Sequence, residues 1–173
     1  HPVEIDHLSD AALLLQAYYR WRTDCFKDLI GEFAVVIWDH QAGELVCARD
    51  ALGDRTLFYT LDTNRILVAS EPGVLAGIKG GDPELDDVGA AHYFAFKGPI
   101  DGHTLFKGVS ELLPAQVLTV SLSGEKRWYY WQVNLSSKII YRSDEEYAEQ
   151  FRLLLEQSVR CRMRSSIPIG ILM

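Results

Sequence analysis

An α+β fold, antiparallel strands layered with helices, follows from three features of the sequence. The stretch Gly31 to Ser70 alternates apolar runs with turn formers: Phe33 to Trp38 is apolar throughout, Leu45 to Ala48 repeats the pattern, and Asp39 to Gly43 and Asp62 to Asn64 supply the breaks. Runs separated by short Asp, Asn and Gly clusters read as two antiparallel hairpins in series. Because the first two runs do not alternate with polar residues, their sheet is expected to be covered on both faces. Helical periodicity on either side of the stretch supplies the covering layers.

The elements follow in chain order. Ser9 caps a first helix, Asp10 places a carboxylate in its first turn, and Leu14, Ala17, Tyr18 and Trp21 recur at helical spacing, so one face is for burial. Thr23 or Asp24 is expected to cap a short turn, CFKDLI, that ends at Gly31. After the four strands, Glu71-Pro72-Gly73 opens a short helical segment stopped at Gly77, and Lys79 to Pro83 is a loop. Asp86 caps a further helix, Asp87 to Phe96, with Val88, Ala91 and Ala95 on one side. Val117 to Leu122 and Arg127 to Trp131, joined by Ser123-Gly124-Glu125, form another hairpin at a sheet edge.

From Tyr141 the pattern changes. Ser143 and Glu146 have the spacing of a capping box, and Tyr147, Phe151, Leu154, Leu155 and Val159 mark the stripe of a helix running to about Arg164. Arg160, Arg162 and Arg164 complement its C-terminal dipole. Pro168 ends it, and Ile169 to Met173 reads as a buried strand. An unpaired apolar strand at the very end, with His1 rather than methionine at the start, leads us to expect a piece of a longer protein. The change of character divides the chain into 1–135 and 136–173.

Composition narrows the class. The 173 residues carry 17 Lys+Arg against 24 Asp+Glu, a net charge of −7, which argues against a nucleic-acid binder needing a basic surface. No apolar run approaches a membrane span, and no signal peptide is evident at the start. Three cysteines, far apart and without a Cys-x-x-Cys pair, make a disulfide framework or zinc site unexpected and fit a reducing, cytoplasmic setting. Cys47, inside an apolar run, reads as a core residue. The residues alone give no catalytic constellation: no phosphate-binding glycine motif, no Gly-x-Ser-x-Gly, no metal-ligand spacing, and five scattered histidines.

The order of short strings is more specific. Ser9-Asp10 before an apolar helix, then Gly31-Glu32-Phe33-Ala34, Trp38-Asp39, Ala48-Arg49-Asp50, Gly53, Leu57-Phe58-Tyr59 and Ala69-Ser70-Glu71 are followed by Thr104 to Val109, Leu113-Pro114, Tyr130-Trp131 and Arg164-Ser165 through Ile167 to Gly170. In this succession the chain resembles the glutaminase domain of glutamine-hydrolysing asparagine synthetases. The resemblance runs over nearly the whole length; Gly98 to Gly102 and Asp54-Arg55-Thr56 fit less well, Thr56 standing where the family usually has proline.

The resemblance implies an N-terminal-nucleophile glutaminase sandwich, αββα, incomplete here, followed by the first helix and strand of an α/β ATP-pyrophosphatase synthetase domain. It implies glutamine hydrolysis by an N-terminal cysteine, passage of ammonia through a tunnel, and ATP- and Mg-dependent amidation of aspartate through aspartyl-AMP. Substrates would be glutamine, aspartate and ATP, with no nucleic acid or membrane partner, and a homodimer is an assembly it allows. The family's nucleophile would precede His1 and its pyrophosphate loop would follow Met173, so this stretch by itself is expected to carry no catalytic or metal-binding residue and to be inactive. Three positions match functional residues of the family. Asp10 would receive the α-ammonium of glutamine; its helix-start role alone is worth about 0.3–1 kcal/mol, and both can hold. Leu172 would meet adenine through its backbone, although a core strand fits it equally well. Glu32 falls at a tunnel-lining position, where a salt-bridged structural role is as well supported. Arg49 and Asp50 read as a structural charge pair closing a strand into a turn. Two alternatives stand beside this reading: a synthetase-like relative making another amide, as in β-lactam or lasso-peptide ring closure, and a non-catalytic interaction fragment.

Overall fold

Both hairpins expected within Gly31–Ser70 form, but they belong to different sheets. The computed structural model describes residues 8–63, 65–78, 82–97, 101–163, 168 and 170. The chain divides into two compact units, His1–Gln132 and Val133–Met173.

The first unit begins with helix α1 (Asp10–Trp21) and a 3-10 turn (Arg22–Asp28), followed by strands β1 (Ala34–Asp39) and β2 (Glu44–Arg49), then β3 (Phe58–Asp62) and β4 (Arg65–Ala69). Helices α2 (Pro72–Ile78) and α3 (Asp87–Phe94), the short β5 (Ser110–Glu111), β6 (Gln116–Ser121) and β7 (Gly124–Tyr129) complete it. One sheet has the order β1-β2-β6-β7 and the other β4-β3-β5, every pairing being antiparallel. The segment after Arg49 therefore carries the chain from one sheet to the other.

Strand alternation sorts the side chains into layers. On one face of the first sheet, Ile37, Val46, Ala48 and Val117 pack with Tyr18 of α1 and Cys25 and Phe26 of the 3-10 turn. Its other face, with Cys47 and Leu118, meets Leu57, Tyr59 and Leu112 on the side of the second sheet. The outer face of the second sheet, through Phe58, packs with Leu75 and Ala76 of α2 and with Val109. Helix, sheet, sheet, helix is the resulting order, and each fully buried Leu, Val or Phe contributes about 1.5–3 kcal/mol.

Several local expectations are corrected. β1 is an edge strand, so Val36 (46%) and Trp38 (60%) remain exposed despite the unbroken apolar run. Trp21 also stays exposed, leaving Tyr18 as the buried residue of α1. Neither Thr23 nor Asp24 caps the 3-10 turn; both lie inside it, and Asp24 accepts from Lys27 Nζ at 2.6 Å. Helix α2 runs one residue past Gly77. In α3, capped by Asp86 as expected, the predicted apolar side Val88, Ala91 and Ala95 is exposed, and Gly89 is buried instead.

In the second unit, α4 (Asp144–Arg162) opens at Ser143, whose side chain accepts from the Glu146 N–H. The return bond of the capping box shifts by one residue: Glu146 Oε2 accepts from the Arg142 N–H at 2.9 Å, not from that of Ser143. Tyr147 packs edge-on against Tyr141, a staple at the same helix end. Arg160 and Arg162 occupy the last turn. Arg164 and the expected strand from Ile169, apart from Gly170, fall outside the described residues. Among the described residues no helix is long and apolar enough to cross a membrane.

Candidate functional site

Ser9 is extended, and its hydroxyl accepts from the Ala12 N–H at 3.3 Å, which fixes the start of α1. Asp10 is the first helical residue and is exposed. A carboxylate there stands at the positive end of the helix dipole.

The opposite end of α1 is tied down by a buried carboxylate. Asp39, 7% exposed at the end of β1, divides its two oxygens between two tasks. Oδ1 accepts from the Gln41 and Ala42 N–H groups at 3.0 Å each and so builds the β1–β2 turn. Oδ2 accepts from the Tyr18 hydroxyl at 3.1 Å and pairs with the Arg22 guanidinium. The Ala42 amide, with Tyr18, Arg22 and Gln41, holds the Asp39 carboxyl below its usual range despite burial. Burial, reinforced by that carboxylate, pushes the Tyr18 hydroxyl up to about 12. Arg22 adopts φ 52° and ψ −142°, a sparsely populated region that costs a residue other than glycine about 1–3 kcal/mol, and its guanidinium pairs with Asp39 there.

A second buried network holds the crossover between sheets. Arg49, 4% exposed, donates Nε to Arg55 O at 2.6 Å, Nη1 to Glu111 Oε1 and Leu112 O at 2.6 Å each, and Nη2 to Gly53 O at 2.7 Å. Asp50 accepts from the N–H groups of Leu52, Asp54 and Arg55 at 3.0–3.1 Å. The expected Arg49–Asp50 charge pair is thus replaced by two separate clamps: Arg49 takes Glu111 as its acid partner, while Asp50 holds the loop. Gly53 (φ 74°) lies so close to Pro114 that an added Cβ would sit 2.6 Å from its Cγ. The Tyr130 hydroxyl donates to Arg49 O at 3.0 Å.

Glu32 is exposed, and its carboxylate lies 3.5 Å from Arg55 Nη2. Leu172 lies outside the described residues. The pattern of single residues gave no sign of the Asp39 cluster. Asp39 reads as a turn former and Arg22 as an unremarked cation; the available signal was a lone acid closing an apolar strand. Burial pushes the Cys47 thiol up to about 12 and raises that of Cys25, the reverse of what a nucleophile needs. Among the described residues no three His, Cys, Asp or Glu side chains group to hold a metal. A groove of about 500 Å³ lined by Arg152, Leu155, Glu156, Val159, Arg160 and Met163 is a face of α4 alone.

Residues 3–131 match the glutamine amidotransferase domain family. The chain belongs to that family. This glutamine amidotransferase domain is 32% identical over 168 residues to asparagine synthetase (glutamine-hydrolyzing) 3 of Bacillus subtilis, covering 96% of the chain and 27% of the relative. It is 30% identical over 166 residues to amidase chry2 of Gibberella zeae, covering 94% of the chain and 24% of the relative. With asparagine synthetase (glutamine-hydrolyzing) 1 of Bacillus subtilis the identity is 28% over 163 residues, 94% of the chain and 25% of the relative. The chain spans about a quarter of the length of these relatives.

Proposed function

We propose that this domain is part of a glutamine-dependent asparagine synthetase that hydrolyses glutamine and uses the ammonia for ATP-dependent amidation of aspartate through aspartyl-AMP. The observation that supports it most is the similarity to glutamine-hydrolysing asparagine synthetases over nearly the whole chain, in which Asp10 keeps an exposed carboxylate at the start of α1. In this reading Asp10 accepts the α-ammonium of glutamine, which selects a free amino acid over a simple amide. Glu32 lines the ammonia route beside Arg55, and Leu172 contributes a backbone contact to adenine. In this reading the rest of the ATP-dependent site lies in the part of the relatives that this chain does not span. A cytoplasmic, homodimeric enzyme accords with this role.

Two measurements test the proposal. In the full-length protein, Asp10→Asn is expected to raise the KM for glutamine roughly ten- to a hundredfold, the loss of one charged hydrogen bond, while ammonia-dependent asparagine formation is unchanged. An unchanged KM would remove Asp10 from the site. Residues 1–173 alone are expected to release no ammonia from glutamine, because the thiols of Cys25 and Cys47 are buried and raised, and the exposed Cys161 lies on α4, outside the matched residues 3–131.

The similarity to an amidase supports a second reading, a relative that forms a different amide on the same scaffold. Product analysis separates the two. Asparagine and AMP from aspartate, ATP and glutamine establish the first; glutamine turnover with no asparagine establishes the second.

A further inference from the structure

We infer that the outer face of α3, with the turn that closes it, is a docking surface for the part of the longer polypeptide outside residues 1–173. This rests on that part of the reading above which places the domain in a longer protein. Apart from Asp87 and His92, every residue of α3 is apolar, aromatic or glycine, a composition that ordinarily belongs to a buried helix. Yet only Gly89 is buried, against Thr104. On the opposite side Val88, Ala91, Phe94 and Ala95 are exposed and recur three and four residues apart, so they form one stripe. Phe94 is 78% and Tyr93 63% exposed, their rings set edge-on with centroids 5.7 Å apart.

The end of the helix adds a strained aromatic residue. The Phe96 N–H donates to Tyr93 O at 3.1 Å and the Lys97 N–H to His92 O at 3.0 Å, a Schellman closure. Phe96 itself has φ 50° and stands where glycine is usual. Its ring is 98% exposed, so packing within the described residues does not compensate the strain. Such outliers persist where contact or function needs them.

The size of the surface selects the occupant. At these exposures the three aromatic rings present on the order of 500 Å². A stable complex of separate molecules needs about 800 Å² from each partner, so this face is too small to hold a second copy or a free protein by itself. Counted over both sides, roughly 1,000 Å² lies within the range of about 600–1,500 Å² found between domains of one chain, where tethering supplies a high effective concentration. The 168 matched residues are 27% of the Bacillus subtilis relative, which leaves ample chain to supply that apolar surface.

The test is amide hydrogen exchange, read by mass spectrometry, on the full-length protein and on residues 1–173. The peptide over residues 88–97 is expected to exchange at least about tenfold more slowly in the full-length protein. Phe94→Gln should remove most of that difference and change exchange in residues 1–173 by less than about twofold, since glutamine suits a helix and the ring is exposed. Phe96→Gly should raise the melting temperature of residues 1–173 by relieving the strain, while weakening the protection in the full-length protein. Leu122→Gln, an exposed apolar residue beyond β6, should leave the peptide unchanged in both. Equal exchange in the two proteins, or protection that survives Phe94→Gln and Phe96→Gly, overturns the docking surface. So does a lower melting temperature in Phe96→Gly, which would place the ring inside the domain. Protection of residues 1–173 that grows with protein concentration assigns the face to a second copy and overturns the occupant named here. If the full-length protein forms no asparagine yet shows the protection, the functional reading falls and this one stands; asparagine formation with equal exchange sinks this one alone.

Discussion

Arg49 commits its guanidinium to three backbone carbonyls and one carboxylate, and that geometry depends on a planar fork. A lysine at this position offers one point charge and cannot reach Arg55 O, Gly53 O and Leu112 O together. Removing the cation altogether strands Glu111, whose side chain is 11% exposed. Arg49→Met is therefore expected to cost about 3–5 kcal/mol, read as a lower urea midpoint, and Arg49→Met with Glu111→Gln should recover part of that loss. No recovery would show that the carbonyl contacts, not the ion pair, carry the effect. Asp50 adds a pH dependence of known sign. Burial acts to raise its carboxyl pKa, but the amides of Arg55, Asp54, Gly53 and Leu52 outweigh it and leave the value below the usual range. A depressed folded value means that its stabilisation is present above the unfolded value, about 3.9, and is lost as pH falls through the lower folded one. Urea unfolding from pH 5 to pH 3 should thus show a steeper loss in the natural protein than in Asp50→Asn. Equal slopes would mean that Asp50 titrates alike in both states.

At the scale of single elements, α3 shows how a close approach overrides propensity. Gly89 is buried against the backbone of Thr104, where an added Cβ would lie 1.8 Å from the carbonyl oxygen. Alanine is favoured over glycine in a helix by about 1 kcal/mol, yet here the helix or the loop at Thr104 must move to admit it. Gly89→Ala is expected to lower the melting temperature, and a rise would disprove the contact. The example also explains where the sequence was readable. Caps at Ser9, Asp86 and Ser143 were legible because they act within four residues. The buried side of α3 was not, since a glycine that earns its place by absence leaves no apolar signal. For the same reason Arg49 and Asp50 could be read as structural while Glu111, Arg49's actual partner, lies 62 residues away and could not be foreseen. For the proposed glutamine site, the family resemblance alone points to Asp10. The Tyr18–Asp39 bond on the same helix could not be foreseen, because the contact spans 21 residues and the turn already accounts for an aspartate.

Across the whole molecule, apolar runs bounded by turn formers announced strands but not their partition between sheets. β2 and β6 are neighbours although three strands and two helices intervene, and that choice is made by packing at Cys47 and Leu118, not by local turns. The three core clusters of the first unit draw only on residues up to Tyr130. The second unit is organised differently. Its helix is held by its caps and by ion pairs one turn apart, Arg152 with Glu149 and Arg160 with Glu156, each at 2.7 Å, while Phe151 is 68% exposed. Such exposed pairs contribute about 0.3–0.5 kcal/mol each, too little to replace a core. A chain ending at Gln132 is therefore expected to unfold cooperatively, with a melting temperature within about 4 °C of that of residues 1–173, a shift equivalent to at most about 1 kcal/mol for its size. Residues 133–173 alone should show partial, non-cooperative helicity by circular dichroism, as expected for a short helix without tertiary support. Loss of the cooperative transition on truncation would mean that the core of the first unit depends on the second.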